Sequence, residues 1–377
     1  GRRTSGVAGG TGEGEAREHG GVAVRLRQHP DVGQAEDLRV AVADAAVVLR
    51  VVVLEEDHRL VGRHHPPCGG RELVAGAPVG GGNGANLNAL GRTGWQRSST
   101  PGELDRWLDV LRAEIADGTI DTVVVAFTDM QGRLQGKRIH GQWFVDTVLG
   151  HGTEGCNYLL AVDVEMNTVD GYAISSWETG YGDMMFDLDL TTLRRTPGQN
   201  YSATVQCDLA WLDGRGLVRQ SPRSVLRAQV DAAAALGFTA LAGTELEFIV
   251  FEQSYAAAWD ARYVGLTGVN RYNVDYSIQG GTVVEPLLRE IRNEMYAAGL
   301  KVESAKGECN LGQHEIAFRY EDVLRTCDNH VIYKNAAKEI AAKHGQSLTF
   351  MAKYDEREGN SCHIHLSLRG TDGSTVF

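Results

Sequence analysis

The sequence predicts an α+β protein, in which helices and strands alternate while neighbouring strands run mainly antiparallel. Two segments, 119–139 and 301–320, each contain two strand-like stretches joined by a short glycine turn, and such links join antiparallel strands. Helical stretches with apolar stripes lie between other strands. The composition also changes near residue 98, which divides the chain into an extension and two folded regions.

Residues 1–98 differ in kind from the rest of the chain. The first 94 residues contain no Lys, Ile, Phe, Tyr, Trp or Met and are rich in Gly and Arg. Aromatic side chains and isoleucine supply much of the buried area of a core, so a packed domain is hard to build here. We predict either a poorly ordered extension or a stretch translated from DNA upstream of the true start, since the first methionine is Met130.

Residues 99–208 are predicted to form a small domain of one helix and several strands. Ser99 or Thr100 can cap a helix that has Pro101 in its first turn. The predicted strands lie within 119–139, with a turn at Gly132, and within 157–166 and 200–214.

Residues 209–377 are predicted to form a second, larger domain. Ser221 can cap a helix that begins at Pro222 and ends at Gly237. The remaining predicted elements are strands within 238–252, 301–320 (with a turn at Gly312) and 346–354, and helices within 282–299 and 327–345.

The bulk composition excludes several classes of function. A net charge of −12 argues against a nucleic-acid-binding protein, which would carry a basic face. The longest apolar run is interrupted by Asp44 and Arg50, so no membrane span is predicted. The N-terminus lacks the pattern of a secretory signal. Six cysteines occur singly, which suits a reducing cytoplasm and gives no disulfide framework.

Two histidines stand one residue apart in the strand-like segment "EGNSCHIHLSL", 358–368. Side chains at i and i+2 of a strand lie on the same face, so His363 and His365 point the same way. The pair is either part of a solvent-facing edge or part of a site that holds a metal ion, an anion or both.

Acidic residues supply the other ligands that a metal site needs. Glu245 and Glu247 share one face of an apolar strand, and the Gly312 turn can bring Glu308 and Glu315 together, with Glu303 five residues earlier. Neighbouring carboxylates on an apolar strand repel each other unless cations neutralise them. Carboxylates with imidazole suit Mg²⁺ or Mn²⁺, and two such ions can bind the phosphates of ATP.

Two other interpretations remain open at this point. Each acidic or histidine pattern alone is common on solvated surfaces. A structural zinc site is the other alternative, but its four candidate ligands lack the usual ligand spacing. These candidates are Cys309, Cys362, His363 and His365.

Four motifs, taken in order, resemble the glutamine synthetase family: "CDLAWLDGRGLVRQSPRSVLRA", "GTELEFIVF", "ECNLGQHEIAF" and "GNSCHIHLS". The resemblance covers about residues 103–377. It implies an N-terminal β-grasp domain and an incomplete catalytic domain, whose curved antiparallel sheet with flanking helices forms a metal-lined funnel.

The resemblance also implies roles for individual residues. Glu247, Glu308 and Glu315 match ligands of the metal on the glutamate side, and Glu245 and His363 match ligands of the metal beside the nucleotide. The remaining matches are Glu303, Tyr320, His365 and Ser367 as nucleotide contacts, Gly359 as a backbone contact to glutamate, and Asp170 as the catalytic group that helps to bind and deprotonate ammonium.

The family's reaction, as the resemblance implies it, consumes ATP to phosphorylate the γ-carboxylate of glutamate, and ammonia then attacks the acyl phosphate. Two or more Mg²⁺ or Mn²⁺ ions assist. The family assembles as stacked rings of identical subunits with shared sites, and the segment 167–187, which contains Asp170, resembles the loop that one subunit donates to its neighbour.

Two departures from the family pattern modify these expectations. Glu358 stands where the best-known bacterial members have Asn, and the loop lacks a "DGSS" motif, so an organic amine such as a polyamine or ethanolamine is the alternative substrate. The family also continues beyond the histidine strand with phosphate-binding arginines. We therefore expect the 377-residue chain to be a truncated fragment with little or no ligase activity.

Overall fold

The computed structural model describes residues 24–25 and 101–376. Apart from Val24–Arg25, the predictions for residues 1–98 lie outside the described residues, as does the helix cap at Ser99 or Thr100. The described chain folds around two sheets, each with its own hydrophobic core. The predicted mixture of helices and mainly antiparallel strands is confirmed.

The first sheet has five strands in the order β3 (Leu134–His140), β2 (Thr122–Thr128), β6 (Ser202–Trp211), β5 (Asp183–Arg195) and β4 (Thr153–Cys156). β2 and β6 are parallel and the other neighbours are antiparallel. Phe127 and Phe186 pack within its core, where their ring centroids lie 5.0 Å apart. The other elements of this half are helix α1 (Pro101–Ala116) and short helical turns at Gly141–Trp143, Phe144–Val148, Leu149–His151 and Asn157–Leu160.

The strand predicted within 157–166 is wrong, and the thirteen-residue strand β5 was not predicted. Asn157 begins a 3₁₀ turn because its side chain is buried and satisfies backbone groups: Nδ2 donates to the Ile174 carbonyl at 3.1 Å, and Oδ1 accepts from the Gly182 amide at 3.3 Å. These bonds fix the chain in a compact turn instead of a ladder.

The second sheet has seven strands, of which five follow the order β1 (Val24–Arg25), β12 (Cys362–Gly370), β7 (Phe238–Phe251), β9 (Gln313–Phe318) and β8 (Val302–Gly307). Two short strands, β10 (Glu321–Asp322) and β11 (Ser347–Thr349), also pair with β7. β7 is antiparallel to β12, β9, β10 and β11, and β1 is parallel to β12. The helices of this half are α2 (Pro222–Ala235), α3 (Tyr255–Asp260), α4 (Ile278–Gly281), α5 (Glu285–Ala297) and α6 (Val323–Lys343).

Side-chain caps fix where the two helices behind this sheet begin. The Ser221 side chain caps α2 by accepting from the Ser224 amide, as predicted. α6 begins earlier than predicted because the Asp322 carboxylate accepts from the amides of Leu324 and Arg325. Within the described part of the chain, every helix falls short of the length or apolarity needed to cross a lipid bilayer.

A buried ion-pair network joins the two halves. Arg223 on α2 contacts Asp189 of β5 at 2.6 Å, Asp208 of β6 at 2.7 Å and Asp328 of α6 at 2.9 Å. Arg227, one turn later, contacts the same Asp189 and Asp208. We call these five residues the Arg223 network. It ties helices of the second half to strands of the first.

Candidate active site

The register of three antiparallel strands places the predicted ligands on one face of the second sheet. His363 on β12 lies opposite Glu245 on β7, and Glu247 lies opposite Glu315 on β9. Directly opposed residues of neighbouring strands point to the same side. The intervening residues are buried in the core on the other face: Leu246, Phe248, Cys362 and Ile364.

A glycine turn returns Glu308 to the same site as Glu315. Gly312 has a φ of +78°, and a Cβ added there would lie 2.4 Å from the Val250 carbonyl oxygen. Only glycine adopts this conformation so close to another backbone without strain. Glu308 thus ends the β8 side of the hairpin beside Glu315 instead of remaining an extended strand's length away.

The carboxylates and one imidazole form two overlapping groups. Glu245, Glu315 and His363 form one, and Glu247, Glu308 and Glu315 form the other, with the ligand atoms of each group within 4.8 Å of one another. Glu315 belongs to both. Carboxylate oxygens with one imidazole nitrogen suit Mg²⁺ or Mn²⁺. The donor set therefore fits two divalent ions, one of which each group of ligands could hold.

The electrostatics of these groups also favour a bound cation. Burial raises the pKa of Glu247 to about 7; the Ser361 amide lowers it, and the charges of Glu308 and Glu315 raise it further. Burial likewise raises the pKa of Glu315, while the Lys306 ammonium lowers it. A divalent ion supplies the positive charge that would keep these carboxylates ionised at neutral pH.

Gln313 orients Glu247 and was not among the predicted site residues. Its Nε2 donates to Glu247 Oε2 at 2.8 Å and to the Gly359 carbonyl at 2.8 Å. The Ser361 amide donates to the same Glu247 oxygen at 2.9 Å. The signal was present in the sequence, because Gln313 stands two residues before Glu315 and therefore on the same face of β9.

Both histidines of the segment 358–368 flank one carboxylate, that of Glu245. His363 Nδ1 lies 3.3 Å from Glu245 Oε2, and His365 Nε2 lies 3.2 Å from Glu245 Oε1. The sheet therefore brings His363 to the predicted metal group and His365 beside it. The separate role predicted for His365, contact with the nucleotide, stays a prediction.

The other predicted site residues lie around this face or apart from it. Glu303 is exposed, in the bulge of β8 between Val302 and Ser304. Gly359 directs its carbonyl to Gln313, as described above. The roles predicted for the residues named in this paragraph stay predictions. Its remaining members are Tyr320, which is exposed and lies beside Gly243; Ser367, which is partly buried opposite Leu241; and Asp170, which is exposed in a loop of the first half.

The alternative of a structural zinc site does not fit this geometry. Cys362 points into the core, whereas His363 points to the open face, because they are consecutive residues of one strand. Cys309 lies beside Asp275, with Sγ 3.6 Å from Oδ2. These two cysteines and the two histidines therefore do not converge on one ion.

The chain is similar in sequence to several known proteins. The family described as "Glutamine synthetase, catalytic domain" matches residues 219–377. A γ-glutamylethanolamide synthetase, GlnA4, of Streptomyces coelicolor is 64% identical over 270 residues, which cover 72% of this chain and 58% of that protein. A glutamate–isopropylamine ligase of Pseudomonas sp is 35% identical over 268 residues, 71% of this chain and 58% of that protein.

A solved structure agrees at the level of the fold. The structure titled "Apo GmaS without ligand" matches with a TM-score of 0.59 and 22% identity, over 70% of this chain and 58% of that one. The chain thus spans less than two thirds of the length of the relatives it matches. The motif order and these similarities lead to one conclusion: residues 219–377 belong to the family described as the catalytic domain of glutamine synthetase.

Proposed function

We propose that the protein to which these residues belong is an ATP-dependent ligase that joins the γ-carboxylate of glutamate to an amine. The observation that carries the proposal is the convergence of Glu245, Glu247, Glu308, Glu315 and His363 in two groups that share one carboxylate. Closely spaced divalent ions can bind ATP and neutralise its phosphates in a reaction that transfers a phosphoryl group.

The amine is proposed to be a small organic amine of the ethanolamine type. The relative that makes γ-glutamylethanolamide is 64% identical, and the isopropylamine ligase is 35% identical. Relatives named glutamine synthetase are well below 64%: that of Thermococcus kodakarensis is 29% identical over 261 residues, and that of Thermus thermophilus is 35% identical over 190 residues. This order favours the organic amine over ammonia, which was the first expectation from the motifs.

The side chains of the site have separable tasks in this proposal. Glu247, Glu308 and Glu315 would hold one Mg²⁺ or Mn²⁺ ion, and Glu245, Glu315 and His363 the second. When bound, the ions supply the positive charge that stabilises the transferring phosphoryl group. Gln313 and the Ser361 amide keep the Glu247 carboxylate oriented towards its ion.

The remaining expectations belong to the same proposal. The five-stranded sheet would be the β-grasp domain predicted for 99–208, and 209–377 would be part of the catalytic domain. Asp170 would act in a site shared between subunits of stacked rings. ATP would contact Glu303, Tyr320, His365 and Ser367, and glutamate would contact Gly359.

The test is a substrate panel with the whole protein that contains these residues. With glutamate and Mg·ATP, we expect phosphate release that depends on ethanolamine or a similar amine and is weaker with ammonia, putrescine and hydroxylamine. Glu247→Gln should lower this rate by about a hundredfold or more, because it removes a metal ligand. Glu290→Gln, at a solvent-exposed pair with His344, is the matched control. Amine-independent phosphate release, or full activity in Glu247→Gln, would refute the proposal.

A further inference from the structure

Lys306 lies inside the carboxylate groups although no motif singled it out. It occupies β8 directly opposite Glu315 on β9, so both side chains project to the open face. Its Nζ contacts a carboxylate oxygen of Glu308. Only 22% of the Lys306 side chain is exposed, and 13% of that of Glu308. The Lys306 ammonium is therefore paired with the Glu308 carboxylate, which is also a ligand of the proposed metal ion.

A second acidic partner for Lys306 is held on the other side. Asp275 Oδ1 lies 3.6 Å from the Lys306 Nζ, and the Tyr276 ring lies beneath that Nζ with its centroid at 4.5 Å. The 274–276 segment can approach β8 because residue 307 is glycine: a Cβ there would lie 2.4 Å from the Val274 carbonyl oxygen. The ammonium is thus placed between Glu308 and Asp275, over the face of the Tyr276 ring.

This arrangement solves two problems in different states of the protein. Before a metal ion binds, Glu247, Glu308 and Glu315 are close together and repel one another, and one ammonium reduces that repulsion. After a divalent ion binds to the same three carboxylates, the ammonium and the ion repel each other at short range. Movement of Nζ towards Asp275 relieves that repulsion and leaves the ammonium paired.

We propose that Lys306 is a tethered cation that occupies Glu308 in the metal-free protein and transfers to Asp275 when a divalent ion takes that carboxylate. The inference rests on the metal site of the proposed function. It makes Lys306 a positioning residue that reduces the repulsion among the ligands in the metal-free protein and lowers their affinity for the ion by competing with it. Asp275 is then the partner that permits the exchange.

The test is a titration of the 377-residue chain with Mn²⁺, in which electron paramagnetic resonance measures the concentration of free Mn²⁺ and so gives the dissociation constant. Lys306→Met should bind Mn²⁺ about tenfold more tightly, because the competing charge is gone. Lys306→Arg keeps the charge and should retain the weaker binding. Lys301→Met, which removes an exposed lysine paired with Glu321, is the control and should leave Mn²⁺ affinity unchanged.

A double-mutant cycle separates the exchange from simple charge effects. Asp275→Asn alone should weaken Mn²⁺ binding about threefold or more, because Lys306 then remains on Glu308. In the Lys306→Met background, the same substitution should change the affinity little. If Asp275→Asn has an equal effect in both backgrounds, or if Lys306→Met binds Mn²⁺ no more tightly than the unmodified chain, the exchange is refuted.

The outcomes also distinguish this inference from the metal site on which it rests. Circular dichroism of each variant establishes that it is folded before titration. If the unmodified chain binds Mn²⁺, Glu247→Gln loses it, and Lys306→Met behaves like the unmodified chain, only the role of Lys306 falls. If neither the unmodified chain nor Lys306→Met binds Mn²⁺, both the metal site and this inference fall.

Discussion

At the scale of single residues, the Glu247 carboxyl group connects the burial of the site with its response to pH. Its side chain is largely removed from water, accepts hydrogen bonds from Gln313 and the Ser361 amide, and lies beside two further carboxylates. The hydrogen bonds stabilise the ionised form, but burial and the neighbouring charges outweigh them, so its pKa rises to about 7. A cation reverses that balance.

The first prediction concerns the stability of the metal-free protein. The folded-state pKa of Glu247, about 7, lies above the ordinary value of 4.5, so the folded protein binds this proton more tightly than the unfolded chain does. The protonated Glu247 therefore contributes to the free energy of unfolding at a pH below 4.5, its ordinary pKa. This contribution, roughly 3 kcal/mol in total, is lost as the pH rises through its pKa in the folded protein. Glu247→Gln should flatten this dependence.

Urea unfolding in EDTA at pH 5 and pH 8 measures that difference. We expect the free energy of unfolding of the unmodified chain to fall between the two pH values by more than that of Glu247→Gln. Glu290→Gln is the exposed control and should keep the larger fall. Equal falls in the unmodified chain and Glu247→Gln would contradict the assignment of the raised pKa to this carboxyl group.

The second prediction concerns Gln313. Gln313→Leu removes the donor that links Glu247 to the Gly359 carbonyl, so the carboxylate loses its fixed orientation. Loss of such an orienting partner typically weakens metal binding by about 10- to 100-fold. Mn²⁺ titration by calorimetry measures the change, and Gln279→Leu on the exposed surface of α4 is the control. Unchanged affinity in Gln313→Leu would show that Glu247 is oriented by other groups.

At the scale of elements, alternation of buried and open residues made some strands predictable. The "ELEF" and "HIHL" stretches keep glutamates and histidines on one face and apolar residues on the other, and both lie in strands of the second sheet. The same logic failed for β5, where Asp189 looks like a loop residue in sequence. Its carboxylate is instead paired with Arg223, 34 positions away, and local sequence cannot reveal such a partner.

The third prediction tests the Arg223 network. The Arg223 side chain is 5% exposed and pairs with three aspartates. Arg223→Met removes this cation from a largely buried group of carboxylates, of which Asp189 and Asp208 keep their contacts with Arg227. Loss of one member of a buried ion pair typically destabilises a protein by about 3–5 kcal/mol. Arg271→Met breaks the Glu252 pair, whose two side chains are 62% and 49% exposed, and should cost less than about 1 kcal/mol.

Chemical denaturation of the two arginine variants measures this contrast. The predicted order is the unmodified chain, then Arg271→Met close to it, then Arg223→Met well below both in free energy of unfolding. Similar stabilities of the two variants would mean that the buried network contributes no more than an exposed pair.

At the scale of the whole molecule, several polar contacts besides this network cross between the two halves. Arg194 of β5 donates to Asn329 of α6 at 2.8 Å, and Gln199 donates to Glu339 of α6 at 2.6 Å. Helix α6 also packs against the second sheet through buried residues such as Tyr333 and Ile340. Helix α6 therefore contacts both halves, so unfolding of one half should lower the stability of the other.

The fourth prediction is a single unfolding transition. Trp107 and Trp211 lie in the first half, whereas Trp259 lies in α3 of the second. In a Trp259→Phe background, fluorescence reports on the first half, while release of bound Mn²⁺ reports on the second. With urea, the two signals should change at the same denaturant concentration because the shared helix couples the halves. In Arg223→Met we expect them to separate. Separate transitions in the unmodified chain would contradict the coupling.

The candidate site was predictable from sequence to the extent that its residues carry chemistry at strand spacing. Glu245, Glu247 and His363 follow from alternation, and Gly312 indicates how Glu308 and Glu315 meet. The residues that tune the site were missed because their function depends on their partners. Lys306 looks like an ordinary strand lysine, and Gln313 like an ordinary amide, until the fold places each beside a carboxylate.

Strand β7 carries the ligands on one side and the core on the other, and this has a consequence for evolution and folding. A slip of one position against its partners would turn Glu245 and Glu247 inward and push Leu246 and Phe248 into water. Misaligned molecules would therefore lose solubility and ion affinity together. Selection for burial of the apolar face of β7 therefore also maintains the register that places Glu245 and Glu247 on the open face.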